Sequence, residues 1–203
     1  MLALLWLSMP WSAVQAFDNY VRQAEAHLER AAEATVAVPG GLIHDWSSGV
    51  FLPGRSAEQV IAVLQSYERY GEIYPEVMSA RLLAKDGNRF RVALRLKRKQ
   101  VLTVVLDTES AVEYQKTGEG RWRVSSRSTK VEEADGGDHG FLWRLNAYWT
   151  VATEPGGVRL RCRSISLSRD VPLGLSWAVK PLLRQMPQES LASTLAATVK
   201  ALR

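Results

Sequence analysis

The chain has 203 residues, 46% hydrophobic and 23% charged, a balance that supports one sizeable globular core and excludes a disordered or low-complexity protein. The formal net charge of +5 permits attraction to anionic lipid or nucleic acid, but a charge of this size also serves solubility alone. Cys162 is the only cysteine, which excludes an internal disulfide and any cysteine-based zinc site.

Residues 1–16, MLALLWLSMPWSAVQA, carry no charge and end in small side chains, which predicts a secretory signal cleaved after Ala16 and a periplasmic or secreted protein. The segment lacks a basic n-region, since the first Lys or Arg is Arg22; this points to an unusual signal or to a misplaced start. The other readings are an apolar helical turn packed on the domain and an uncleaved anchor broken at Pro10. Residues 17–38 form the next unit. In it Phe17, Val21, Ala24, Leu28, Ala31 and Thr35 recur at helical spacing, so an amphipathic helix is predicted over 18–34, ending before Pro39-Gly40-Gly41. Its thin, alanine-rich stripe suits a helix laid over the outside of a domain or against a partner.

The domain proper is predicted over 42–203. Residues 42–52 read as a strand stopped at Pro53-Gly54, and Ser56 with Gln59 forms a capping box that opens a helix with Val60, Ile61, Val63, Leu64 and Tyr67 on its buried stripe. From Val77 onward, turn signals at Asp86-Gly87-Asn88, Gly118-Glu119-Gly120, Gly136-Gly137 and Pro155-Gly156-Gly157 divide the chain into strand-length units, as in a meander. Phe90, Val92, Leu94 and Leu96 alternate with Arg89, Arg91, Arg95 and Lys97, which assigns the first set to the core face. In 141–153, Phe141, Trp143, Leu145, Ala147, Trp149 and Val151 share one wholly apolar parity that must look inward. Residues from Leu173 return to helical spacing, with a break expected at Pro187.

This order, with the stretch VIAVLQSYERYGEIYPEVMSARLL and above all its Tyr74-Pro75, resembles the START-like superfamily of lipid-transfer, polyketide cyclase-like and coenzyme Q-binding proteins. HGFLWRLNAYW (139–149) and ISLSRDVPLGLSW (165–177) resemble a bacterial subgroup of it. The resemblance implies an α+β helix-grip fold, a curved antiparallel sheet wrapped around a long C-terminal helix, here with an extra N-terminal helix. It also implies a tunnel that in relatives accepts sterols, phospholipids, quinones or aromatic polyketides. It transfers no catalytic residue.

The expected ligand-binding residues are Phe90, Val92, Leu94, Trp143 and Trp149 on the strands, with Trp177 as a gate beside the Pro172-Leu173-Gly174 turn. No cofactor is expected: His27, His44 and His139 form no metal spacing, and no GxSxG or phosphate loop occurs. The function expected is non-catalytic binding or transport of a hydrophobic small molecule or lipid. The alternatives are a cyclase- or hydrolase-like enzyme, for which His44, Arg144 and Tyr148 are the nameable acids and bases, and an interaction module with a filled core. The arginines at 89, 91, 95, 121, 123, 127, 159, 161 and 163 have the period of an exposed sheet face, with Asp107, Glu109 and Glu113 placed to pair with them. The sharper reading is peripheral contact with an anionic membrane surface; nucleic acid is not expected, because no aromatic platform is interleaved.

Overall fold

The computed structural model describes residues 9–99, 103–137, 141–170 and 176–203, the side chains of 98, 99 and 176–187 excepted. Helix α1 (Trp11–Glu25) leads into strands β1 (Glu33–Val38) and β2 (Gly41–Pro53). Helix α2 (Ala57–Gln65), a 3₁₀ turn (Tyr67–Arg69) and the short α3 (Tyr70–Ile73) then cross to the far side. Six strands follow: β3 (Val77–Asp86), β4 (Arg89–Lys99), β5 (Thr103–Gly118), β6 (Arg121–Glu133), β7 (Arg144–Glu154) and β8 (Gly157–Arg169). Helix α4 (Ser176–Ala201) closes the chain.

The eight strands form one antiparallel sheet in the order β1-β2-β8-β7-β6-β5-β4-β3. The expected meander therefore runs unbroken from β3 to β8, and β2 returns to lie beside β8. The predicted capping box starts α2: Gln59 N–H donates to Ser56 Oγ at 3.3 Å and Ser56 N–H donates to Gln59 Oε1 at 2.9 Å. Gly157 allows β8 to start hard against β2, since a Cβ there would stand 2.3 Å from the Leu52 carbonyl oxygen.

Strand parity separates two cores. On the inner, concave face, Trp46, Leu52, Phe90, Val92, Tyr114, Val124, Trp149, Val151 and Leu160 pack with α2 and with Leu191, Leu195 and Leu202 of α4. On the outer face, Ala13, Phe17, Val21 and Ala24 of α1, with Leu28 after it, pack on Ile43, Tyr148, Ile165 and Leu167. Strands β2, β7 and β8 thus bury side chains on both faces.

Three expectations change. The N-terminal helix ends at Glu25 instead of 34, and residues 33–38 pair with β2 from Glu33↔Trp46 to Val38↔Gly41. Thr35, Val36 and Val38 are β-branched, and a free strand edge outweighs a helical stripe that had thinned to alanine. Pro187 does not break α4, which is continuous from Ser176 to Ala201. A proline removes one backbone amide without by itself ending a helix anchored further on, here by Leu191 and Leu195. Arg163, expected on an exposed face, is buried. Its guanidinium reaches the Asp45 carboxylate at 2.8 and 2.6 Å beneath α1.

Candidate ligand-binding face

The concave face has two halves. At the α2 end, large side chains fill it: Phe90 and Tyr114 stack edge to face with centroids 5.2 Å apart, and Tyr67 lies 5.5 Å from Phe90. The tyrosine hydroxyls here are spent on one another and on backbone. Tyr114 donates to the Leu64 carbonyl at 2.6 Å and lies 2.8 Å from the Tyr67 hydroxyl, Tyr70 donates to the same carbonyl at 2.5 Å, and Tyr74 lies 3.2 Å from Thr198 Oγ1. Burial pushes Tyr67 and Tyr74 up to about 12 and raises Tyr70 and Tyr114 as well, so none offers a phenolate at neutral pH.

Beyond Trp149 the side chains shrink. Register aligns Trp46, Ser164, Ala147, Ser126 and Val112 across β2, β8, β7, β6 and β5. On the next row His44 faces Ser166, Ser166 faces Leu145, and Ser128 faces Ser110. Ser110, Ser126, Ser128, Leu145, Ala147, Ser164 and Ser166 are all half-buried, although they lie on the four central strands β5 to β8. The inner face is therefore filled at one end and floored by small, hydroxyl-bearing residues at the other.

His44 closes that floor at the β1 edge. Its Nδ1 is 3.1 Å from Thr35 Oγ1 and its Nε2 is 3.0 Å from Ser168 Oγ, which also lies 3.3 Å from the Arg169 carbonyl as a donor. This arrangement selects the tautomer in which Nε2–H donates to Ser168 and Nδ1 accepts from Thr35. Burial lowers its pKa from 6.5 to about 4, so the ring is neutral at physiological pH. Asp45 points to the opposite face, as adjacent strand residues must. Cys162 is buried on the inner face, and desolvation raises its thiol pKa, which leaves it unreactive. Among the described residues, two buried donors have no acceptor, the indole Nε1 atoms of Trp46 and Trp122.

The structure brings together Phe90, Val92 and Trp149 in the inner core, with Leu94 partly buried against them. Trp143 is elsewhere. It precedes β7, donates its N–H to the Leu167 carbonyl at 2.7 Å and packs in the outer core, so the strand parity that assigned it inward does not reach it. Phe141 is exposed for the same reason. The Trp177 side chain, the Pro172-Leu173-Gly174 turn and His139 lie outside the described residues. Arg144 donates to the Trp143 carbonyl and Tyr148 to Glu25 Oε1 on the outer side, so of the three nameable acids and bases only His44 has inner register. Trp46 and the serine rows were not singled out from the sequence. The signal was present in RCRSISLS, where Ser164, Ser166 and Ser168 alternate with Ile165 and Leu167.

A second concavity of about 270 Å³ opens on the outer face, lined by Leu28, Arg30, Ser47, Thr150, Arg159 and Arg161 among others. Arg159 pairs with Glu154 at 3.0 Å, whereas Arg161 donates only to the Glu29 carbonyl at 2.9 Å.

No protein-family model and no curated protein sequence matches the chain. Solved structures do. A STAR-related lipid transfer protein from Xanthomonas axonopodis superposes with a TM-score of 0.62 at 19% identity, over 84% of this chain and 98% of that one. The Zhui aromatase/cyclase of a Streptomyces species gives 0.61 at 12% identity, over 79% and 93%. The chain has the START-like helix-grip fold. Human STARD10 gives 0.58 at 13% identity over 98% of this chain and 83% of that one, which carries the START-like match to nearly its whole length. Identities of 12 to 19% establish the fold and not the activity, because START-like proteins that share an architecture need not share a site.

Proposed function

We propose that this START-like protein binds a hydrophobic small molecule or lipid against the concave face and carries it without chemical change, outside the cytoplasm. The observation that supports this is the floor of serines and alanine. Central strands under a helix ordinarily present Val, Leu or Ile, as β7 and β8 do at the α2 end with Val151, Val158 and Leu160. Ser126 of β6, Ala147 of β7 and Ser164 and Ser166 of β8 are small and only half-buried, which supports open space above them. The names of the neighbours, a lipid transfer protein and an aromatase/cyclase, accord with an enclosing scaffold. Native mass spectrometry of protein purified from its own host without detergent, followed by organic extraction, tests this. A bound lipid, quinone or polyketide is expected; homogeneous unliganded protein that takes up no hydrophobic probe would sink the reading.

A second reading, aromatase/cyclase-like catalysis, draws support from His44 alone, a neutral imidazole in a Thr35–His44–Ser168 relay on the inner face. Both its nitrogens are engaged, and because Nε2 carries the proton given to Ser168, as a base it would act through the Thr35 hydroxyl at Nδ1. Turnover of a polyketide substrate that vanishes in His44→Gln while binding persists would favour the enzyme; turnover unaffected by that change removes it.

Delivery by peripheral contact with an anionic membrane is part of the same proposal. Arg121, Arg123 and Arg161 are exposed and have no carboxylate partner, and Thr150 is the register neighbour of both Arg123 and Arg161. Co-sedimentation with phosphatidylglycerol vesicles, weakened by salt and by Arg123→Gln/Arg161→Gln, is expected, and equal binding to phosphatidylcholine would refute it. Export is tested by intact mass. Cleavage after Ala16 would divide α1 and remove the buried Ala13 and Val14, so a mature chain starting at Phe17 establishes that processing and one retaining Trp11 excludes it.

A further inference from the structure

We infer that the concavity on the outer face binds a phosphomonoester group, with Arg161 as its principal contact. The site lies on the opposite side of the sheet from the concave face and does not depend on a ligand being carried there; it shares its arginines with the membrane reading above and narrows that reading to one headgroup chemistry. Helix α1 covers the outer face as far as Tyr148, and past its end the outward positions are small: Ser47 and Gly49 on β2, Thr150 and Ala152 on β7. Long side chains wall this ground. Register sets Arg123 and Arg161 on either side of Thr150, and Arg121 and Arg159 on either side of Ala152. The chain after α1 supplies a further wall with Leu28, Arg30 and Ala31.

Elsewhere the same sheet pairs its arginines. On β4, Arg89, Arg91 and Arg95 each have a carboxylate on β5, and in the concavity itself Arg159 has Glu154 and Arg163 has Asp45. Arg161 has Gly49 and Thr150 as register neighbours, and Arg123 has Gln115 and Thr150, so neither faces an acid. Arg30 pairs with no carboxylate among the described residues, and Glu29 is the one lining acid there without a cation, so Arg30, Arg123 and Arg161 leave positive charge in excess. Arg161 is also held in place. Its Nη1 donates to the Glu29 carbonyl at 2.9 Å, and its stem lies across Gly49, where a Cβ would stand 2.8 Å from Arg161 Cγ. Its remaining N–H donors are free among the described residues, and a guanidinium fixed in this way loses little freedom on binding. A phosphomonoester offers three strong acceptor oxygens and a charge of about −1.5 to −2, which suits guanidiniums on two sides of a threonine hydroxyl better than a planar carboxylate does. A volume of about 270 Å³ holds a phosphate on a small organic group, or a lipid headgroup with its acyl chains outside.

The test titrates the full chain at mildly alkaline pH and fixed ionic strength with glycerol 3-phosphate, phenyl phosphate and benzoate, and sediments it with vesicles of phosphatidate or phosphatidylglycerol matched in surface potential. Phenyl phosphate is expected to bind about ten-fold more tightly than benzoate. Arg161→Gln is expected to weaken phosphomonoester binding about ten-fold, and Arg161→Lys, which keeps the charge and loses the fork, to restore only part of it. Arg89→Gln, which removes an arginine already paired with Glu113, is the control and is expected to change nothing. A preference for phosphatidate that disappears in Arg161→Gln identifies the headgroup as the source, whereas soluble esters that bind without such a preference identify a free metabolite. Failure of both soluble esters together with equal sedimentation by the two lipids overturns the inference, and the membrane reading still stands if phosphatidylglycerol outbinds phosphatidylcholine. Benzoate binding as tightly as phenyl phosphate overturns it as well, and so does unaltered phosphomonoester affinity in a folded Arg161→Gln variant. The preference of the wild-type protein for phosphate over carboxylate needs no variant, so misfolding of Arg161→Gln does not remove the test.

Discussion

Asp45 sits buried beneath α1, and its surroundings supply its carboxylate with hydrogen-bond donors. Arg163 grips it with two hydrogen bonds, and the Tyr20 hydroxyl donates to it at 2.8 Å. Arg163 has a further acceptor in the His27 carbonyl at 2.9 Å. Burial, followed by the hydrogen bond to Asp45, pushes Tyr20 up to about 12, so the phenol remains a donor. Arg163→Met strands a desolvated carboxylate and is expected to cost about 3–5 kcal/mol in urea denaturation. Arg163→Met with Asp45→Leu should recover much of that, because an apolar pair leaves no orphan charge. A single-variant loss below about 1 kcal/mol would mean that water reaches the pair. His44 makes a prediction in pH. Its folded pKa of about 4 lies below its unfolded 6.5, so the unfolded chain binds the proton more readily between them. Stability is therefore full above pH 6.5 and falls as pH drops through 4, by on the order of 3 kcal/mol. His44→Gln should flatten that acid limb in a melting series, and an unchanged slope would assign it to other groups.

At the scale of elements, α1 is an integral layer. Phe17 is 2% exposed and Ala13 is fully buried against the outer face. Phe17→Ala should destabilise by about 3–5 kcal/mol, measured by chemical denaturation, with the transition remaining single if α1 and the sheet unfold together. A loss under 1 kcal/mol would mean that the helix is dispensable. The sequence marked Phe17, Val21, Ala24 and Leu28 as one stripe, and those four are buried as a set. It did not mark where the helix yields to β1, because Glu33–Val38 has no turn residues ahead of it and owes its strand form to pairing with β2. The turns from Asp86 onward were legible, since glycines with positive φ punctuate them, as at Gly87 and Gly156. Trp143 was misplaced because alternation holds only inside a strand, and β7 begins one residue later. The floor was hard to read for a related reason: serines at alternate positions look like a solvated face until both faces of β8 are known to be covered.

At the scale of the whole molecule, the exposed ion pairs Arg89–Glu113, Arg91–Glu109 and Arg95–Asp107 run across β4 and β5 on the outer side. Each lies in solvent, and deleting one carboxylate is expected to change stability by less than about 1 kcal/mol. The larger asymmetry is in coverage. Helices lie on both sides of β2, β7 and β8, but the outer faces of β3, β4 and β5 meet water, and β3 is a free edge with Met78 and Leu82 about half exposed. The two flanks of the sheet should therefore differ in how often their amides open to solvent. Exchange with deuterium should be slowest along Ile43, Val151 and Leu160 and fastest along β3. A bulky guest seeking entry would then find the sheet yielding from the β3 side while the flank under α1 stays closed.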